Sequence, residues 1–599
     1  MLLEHPGDVV TREDLRHKLW SDDTFVDFEH GLNKAVNKIR EALGDSADNP
    51  RFVETLPRRG YRFIYPVEVG EHPRGAPALS GTPREGRKGP PLPGRWAIPI
   101  GVFSLLAVVA VLFALNVAGV RDRVGALVGA GSARPREGKA LLYPPIQSIA
   151  VLPLENLSHD PEQEYFADGM TDQLITNLGK ISALRVISRT TAMHYKGTQK
   201  TLPEIARELN VDALIEGSVL RSGERVRVNT QLVRAKPEKH LWSESFEREL
   251  RDVLVLQSEM ARKIAREIRV TVTPDEQNRL TNVRSINPEA HEAYLMGLYH
   301  WYRGTDEESP NKRSMDYFQR AAFLDAAYAP PLVGLARGYM DQAYSGVLPP
   351  GEAFLRAQTA ASKALELDNE MAEAHAALGG LKYSFEWDWA GAERELRRAI
   401  ELNSSSQIAH EHYAQYLTIV GRFDEALVER KRAFELEPSR RFWFGWTYLF
   451  ARRYNEAIIE FQKDLDAGGP PLLLHAYLAG TYILQGMNAQ AVAECDTTRE
   501  LQPGVLTAGV CASVYAAAGA RRQAQNAHRE YLSADIVDPW QVAYFYMGEG
   551  DEDQAVEWLT KAYEQRSANV CLLKVDPWFD PLRSDPRFQD LLRRMNFPP

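Results

Sequence analysis

Cysteine is scarce: Cys495, Cys511 and Cys571 are the whole complement of 599 residues. Three thiols confined to the C-terminal region exclude a disulfide scaffold, and their spacings fit no common zinc motif. Cys495 and Cys511 are expected to be buried free thiols on neighbouring helices. A dominant charge is missing as well. Lys and Arg number 71 against 81 Asp and Glu, a net charge of −10, so any nucleic-acid contact must come from a local basic patch. With 44% hydrophobic and 25% charged residues, a mostly disordered, fibrous or polytopic membrane protein is excluded. At a nominal ~150 residues per domain the chain holds roughly four folding units.

Enzyme signatures are missing too. Gly138-Lys139 approaches a phosphate-binding loop, but Ala133 stands where its first glycine belongs and Ala140 where Ser or Thr belongs. His410-Glu411-His412 lacks the i, i+4 histidine spacing that puts two ligands on one helical face. No Gly-rich dinucleotide loop or nucleophile elbow appears in context, and no phospho-acceptor receiver domain precedes the first module. Glu164, Asp168 and Asp172 could be imagined as a metal or acid/base cluster, but Asp168 with Thr171 also reads as a helix start. No catalytic residue, cofactor or metal is expected.

One long apolar run is present. Trp96 to Val120 carries no charge between Arg95 and Arg121, and at ~1.5 Å per residue it exceeds the ~30 Å of bilayer hydrocarbon. It predicts a transmembrane helix over 96–120. Linkers rich in Gly, Pro, Arg and Ala flank it at 69–95 and 121–146. The basic residues on its two sides nearly balance, so charge alone does not orient it.

Before that run the periodicity reads helix, helix, hairpin. Thr11 and Asp14 resemble a capping box opening a helix with Leu15, Leu19 and Trp20 on one side. Leu32, Val36, Ile39 and Leu43 form the apolar stripe of a second helix, leaving Asn33, Lys34, Asn37, Lys38 and Arg40 towards solvent. Phe52–Leu56 and Tyr61–Ile64 alternate as strands around Pro57-Arg58-Arg59-Gly60. Residues 1–31 hold three Lys/Arg and eight Asp/Glu, residues 32–65 seven and four, so cations gather in the second helix and hairpin. The strings VVTREDLRHKLW, DFEHGLNKAVNKIREALGD and RFVETLPRRGYRF together resemble OmpR-type winged helix DNA-binding domains, over residues 1–68. The resemblance implies that the second helix enters the major groove and the wing lies along a neighbouring one. Asn33, Lys34, Asn37, Lys38 and Arg40 would then face bases and phosphates of double-stranded DNA, with Arg58, Arg59 and Arg62 on the wing. The family's opening sheet has no counterpart before Val9, and only Met1 to His5 stand for most of its first helix, so the domain is expected to be N-terminally incomplete. The basic patch is small, which predicts modest single-copy affinity and a homodimer on DNA.

Residues 147–277 alternate strand and helix: Ile149–Leu154, Leu184–Ser188, Ala213–Leu220 and Arg225–Val233 as strands, with helices over Asp168–Ile181, Leu202–Leu209 and Val253–Ile268. SIAVLPLENLSHDPEQEYFADGMTDQLITNL and DALIEGSVLRSGERVRVNTQLV are similar to TolB amino-terminal-like domains, which implies an α/β fold without definite chemistry. From 288 to 599 only helix signals remain. Ala392, Ala426, Ala457, Ala491, Ala524 and Ala555 recur at 34, 31, 34, 33 and 31 residues, and Leu367, Leu402 and Leu436 at 35 and 34. Two series at one period mean a repeated helical hairpin. GRFDEALVERKRAFELEP and MGEGDEDQAVEWLTKAYEQ resemble tetratricopeptide repeats, whose groove takes a peptide or protein partner. Trp387, Trp389, Trp443, Trp446 and Trp558 are expected to serve packing rather than binding.

The sequence as a whole resembles membrane-anchored transcriptional regulators of the CadC and ToxR type. The expected fold class is multidomain: a truncated winged helix (α+β), one transmembrane helix, an α/β domain and a C-terminal all-α tetratricopeptide-type solenoid. The expected place is the inner (cytoplasmic) membrane, single-pass, with the N-terminus cytoplasmic and the C-terminal region extracytoplasmic as a sensing or partner-binding part. The alternative is an envelope scaffold or protein-interaction protein carrying a vestigial DNA module.

Overall fold

The computed structural model describes residues 9–11, 36, 50–56, 60–64, 144–158, 160–281, 285–303, 311–438 and 442–598. They fall into two compact units, Met1–Arg134 and Pro135–Pro599, each taken by itself below.

In the first unit, β1 (Val9–Thr11), β2 (Val53–Leu56) and β3 (Gly60–Phe63) make an antiparallel sheet in the order β1-β3-β2. Thr11 pairs with Gly60 as the last residue of β1, as suits the β-branched run Val9-Val10-Thr11; the helix expected to open there, with Asp14, Leu15, Leu19 and Trp20, lies outside the described residues. Strand alternation sends Tyr61 and Phe63 to one face, where they are buried with Val10, Val36 and Val53. Val36, at 3% exposure, is the described member of the predicted second-helix stripe.

The second unit begins with a mixed sheet in the order β6-β4-β7-β8-β9, built from β4 (Ser148–Val151), β6 (Arg185–Val186), β7 (Ala213–Ser222), β8 (Arg225–Ala235) and β9 (Glu238–Glu249), with β5 (Glu155–Asn156) also pairing β7. β4 runs parallel to β6 and β7, and β7, β8 and β9 form an antiparallel meander. Helices cover both faces, so β4 is buried throughout: Ile149 and Val151 join the core under helices Glu164–Gly179 and Val253–Ile268, whereas Ala150 and Leu152 pack with Ile205 and Ala206 of helix Leu202–Glu208. The predicted helix Val253–Ile268 is found with those bounds. β9 went unread because it is an edge strand whose charged side chains stand mostly in solvent.

From Pro288 the described residues fold into eight successive helical hairpins, from Pro288–Arg303 with Lys312–Leu324 to Pro539–Glu549 with Glu552–Glu564. All six periodic alanines are 0% exposed, as expected where two helices touch through small side chains. The α/β core and the first hairpins are continuous: Leu295 and Phe318 belong to the same cluster as Ile149 and Leu174. Gly169 permits the contact, since a Cβ there would stand 2.6 Å from Leu295 Cδ2. After the last hairpin, residues 570–598 leave the repeat pattern, forming short 3-10 turns at Val570–Leu572 and Pro577–Ser584 and a helix at Pro586–Met595.

One expectation is corrected. Among the described residues no helix is long and apolar enough to cross a membrane. The apolar helices Pro471–Leu484 and Val505–Ala517 have 14 and 13 residues, roughly 20 Å at ~1.5 Å per residue against the ~30 Å required. The 18-residue helix Pro350–Leu367 carries Glu352, Arg356, Lys363 and Glu366. The segment 96–120 lies outside the described residues. The transmembrane helix of the expected fold class, the membrane as a partner, and the single-pass inner-membrane localisation with an extracytoplasmic C-terminal region are therefore not upheld.

Candidate nucleic-acid interface and repeat face

Of the residues expected to meet DNA, Asn33, Lys34, Asn37, Lys38, Arg40, Arg58 and Arg59 lie outside the described residues, and Arg62 is placed. Arg62 stands on β3 directly opposite Glu54 of β2. Its Nε and Nη2 both donate to Glu54 Oε2, at 2.9 and 2.5 Å. The pair lies on the sheet face opposite Tyr61 and Phe63, with side chains 36% and 31% exposed. An arginine already neutralised by a cross-strand carboxylate offers less to a phosphate than a free one, a partner the run of three arginines did not reveal.

The chain's C-terminal part packs back on the hairpins. The Trp389 ring stacks on Phe597 with centroids 4.5 Å apart, and its Nε1 donates to Met595 O at 2.9 Å. Trp387 stacks on Tyr563, and Arg452 reaches Asp580. Phe579 is fully buried among Trp540, Tyr544 and Phe588. Trp443 and Trp446 pack edge to face beneath the Arg430 guanidinium, whose pKa burial brings down to about 10. Trp558 lies under Lys561 Nζ. These five tryptophans thus serve packing, as expected.

The loops between hairpins are met by the α/β domain. Val186 N donates to Ser405 Oγ at 3.1 Å, Ser405 Oγ donates to Leu184 O at 3.1 Å, and Ser188 N donates to Leu436 O at 2.9 Å. A Cβ on Gly179 would stand 2.6 Å from Asn403 Oδ1. β6 thereby gives its outer edge to repeat loops, which satisfies backbone groups an edge strand would otherwise leave to water.

The imagined acidic cluster separates. Glu164 and Asp168 both pair with Lys196, and Asp172 turns to Arg189, 4.0 Å away. Among the described residues no group of three or more His, Cys, Asp or Glu is arranged to hold a metal. His410 Nδ1 bonds Glu429 at 2.6 Å, whereas His412 Nδ1 meets Tyr383 Oη at 2.9 Å and burial lowers its pKa to about 4. Cys495, Cys511 and Cys571 are free and buried, with Cys511 Sγ donating to Cys495 O. Glu393, which burial would raise, is carried down to about 2 by Arg422, Arg397 and Tyr413 donating to it.

Two family profiles match. Residues 1–63 match "Transcriptional regulatory protein, C terminal" and residues 146–263 match "HilA/YgeH-like transcriptional regulator, second domain". The latter takes the place of the expected TolB-like resemblance. Over 68 residues the chain is 40% identical to the "Cholera toxin homolog transcriptional activator" of Vibrio parahaemolyticus, covering 11% of this chain and 23% of that protein. Over 461 residues it is 21% identical to "Transcriptional regulator HilA" of Salmonella typhimurium, 76% of this chain and 68% of that one. Over 145 residues it is 43% identical to "Putative adenylate cyclase 3" of Rhizobium meliloti, 24% of this chain and 25% of that one. The chain spans about a quarter of the length of the first of these relatives. Both profiles and most of these relatives are regulators rather than enzymes; the cyclase name belongs to a protein of which three quarters is unmatched. Among solved structures, the Cut9–Hcn1 assembly overlaps 58% of this chain and 74% of its own at 13% identity, with a TM-score of 0.34. That superposition decides nothing beyond what the hairpins themselves show.

Proposed function

We propose that the chain is a transcriptional regulator that binds double-stranded DNA through its N-terminal winged helix. The observation that carries the reading is the match of residues 1–63 to a transcriptional regulatory domain, in which the paired strands β2 and β3 pack on the buried Val36. In this reading Asn33, Lys34, Asn37, Lys38 and Arg40 face the major groove, and Arg58 and Arg59 hold phosphates from the wing. Arg62 contributes less, because Glu54 already engages it. The small basic patch favours two copies on adjacent half-sites over a single tight contact. The α/β domain and the hairpins share one core, a body suited to receive an input.

Selection of duplexes from a random library by the full chain tests this. A recurrent sequence should be enriched. Asn37→Ala should lose about 1–3 kcal/mol on that sequence and relax its preference, the mark of a bidentate base contact. Arg59→Ala should weaken binding to all duplexes alike and make the salt dependence shallower by about one unit of slope. No enrichment, with no binding to any duplex at low salt, contradicts the reading.

A further inference from the structure

Where the α/β domain meets the repeats it leaves a cavity of about 960 Å³, within the range that holds small organic ligands. Its wall draws on helix Glu164–Gly179, the first helices of the first two hairpins, and the loop regions 366–373 and 402–408. Four wall atoms are buried without a hydrogen-bond partner: Arg189 Nε, Arg279 Nε, Gln407 Nε2 and Gln257 Oε1. Three of these are donors. Gln257 and Gln407 are 1% and 7% exposed, so bulk water does not serve them freely. Folding rarely leaves several buried donors unmet in one place without a use for them.

The same wall pairs cations with rings. The Arg189 guanidinium lies 4.0 Å from the Tyr302 ring centroid, and Arg337 lies 5.0 Å from that of Trp301. Asp172 approaches Arg189 Nε only to 4.0 Å, too long for a hydrogen bond. Carboxylates also line the space, notably Asp368, Glu370 and Glu373 on the loop beside Lys180, so the wall is not uniformly positive. Asp172 feels Glu373 as well as Arg189 and Arg337, so the guanidiniums stacked on aromatics have carboxylates for neighbours.

We infer that this cavity binds a small aromatic carboxylate, its anionic group taken by Arg189 with Gln407 and Arg337 near, and its ring set among the tyrosines and Trp301. Such a ligand would bridge the α/β domain and the repeats, the place from which occupancy could alter the regulator. The acidic loop disfavours larger or multiply charged anions, which limits the class to monoanions.

Isothermal titration calorimetry of the full chain, without DNA, tests the cavity independently of the proposed DNA binding. The probes are 1-naphthylacetate, the neutral 1-naphthylacetamide and the cationic 2-(1-naphthyl)ethylamine. The carboxylate should bind saturably, and the amide and amine at least about ten-fold more weakly, as loss of a charge-assisted bond implies. Arg189→Met, which keeps the stem over Tyr302, and Gln407→Leu should each weaken the carboxylate, the former by about ten-fold or more. Arg453→Met, on Tyr448 outside the wall, should leave it unchanged. If circular dichroism shows that Arg189→Met does not fold, Gln407→Leu and the amide decide. Preference for the amine, equal binding of all three probes, binding that survives both wall substitutions, or no saturable binding of the carboxylate overturns the inference.

Discussion

The repeat array is closed at two places by the rest of its own chain, and the closures differ in kind. At residues 566–598 the contact is mainly aromatic, with Phe579, Trp540, Tyr544 and Phe588 packed together and Trp389 stacked on Phe597, around the buried Asp576 that accepts from Tyr544 Oη. At β6 and the loops around Ser405 and Leu436 the contact is made by hydrogen bonds, and it borders a cavity with buried charges. Apolar contacts are strong and little affected by pH and salt, whereas polar contacts contribute fewer kilocalories and respond to protonation and to ligands; burial raises the Asp576 pKa to about 6, so the first closure also carries one pH-sensitive group. Most of the buried aromatic area lies in the first closure, and the cavity lies at the second.

The largest effect should come from the aromatic side. Phe579→Ala removes a fully buried ring and should cost about 3–5 kcal/mol, seen as a lower urea midpoint for the second unit. A loss below about 1 kcal/mol would mean that the C-terminal segment is not part of the core.

Next is the pH response of the polar side. Burial raises the Asp172 pKa from 3.8 to about 6, Arg189 countering in part. An acid whose folded pKa lies above its unfolded value binds more protons when folded, so its contribution weakens stability as pH rises from about 4 to about 6 and is constant above. Asp172→Asn should therefore gain on the order of 2 kcal/mol relative to the parent between pH 4 and pH 7.5. Urea midpoints at the two pH values measure it, and a difference that does not change with pH would remove Asp172 as the source.

Ser405→Ala is smaller. It leaves Val186 N without its acceptor and should cost about 1–2 kcal/mol, with faster amide exchange over Leu184–Ser188 and none at 570–588. Equal acceleration at both closures would erase the distinction between them. Smallest is Arg452→Ala. Its pair with Asp580 is 38% and 39% exposed, so less than about 1 kcal/mol is expected, and a larger loss would show a polar pair strengthening the aromatic closure.

What was legible in the sequence followed from local pattern. The amphipathic Val253–Ile268, the hairpin around residue 58 and the repeating alanines all depend on neighbours a few residues away. What was hidden depended on distant partners. The Trp389–Met595 bond joins residues 206 apart, and no periodicity announces it. The segment after Gln565 read as more repeats because its helical and aromatic content fits them, although Pro577, Pro581 and Pro586 interrupt the pattern. Asp172 read as one of three acids near a helix start, whereas tertiary packing turns it towards Arg189 and the cavity. Arg62 read as a free cation because its partner sits across a strand pair, eight residues earlier. The strand β1 was missed because three β-branched or hydroxyl residues next to a helix-like string carry too short a signal.

The central claim is a division of labour: the first 64 residues meet DNA, and the second unit closes on itself. Hydrogen exchange of the full chain with and without its selected duplex tests it most directly. Duplex should protect amides within residues 1–64, β2 and β3 included, and leave 566–598 and the hairpins as they were. Protection that falls on the hairpins while 1–64 exchanges unchanged would contradict it.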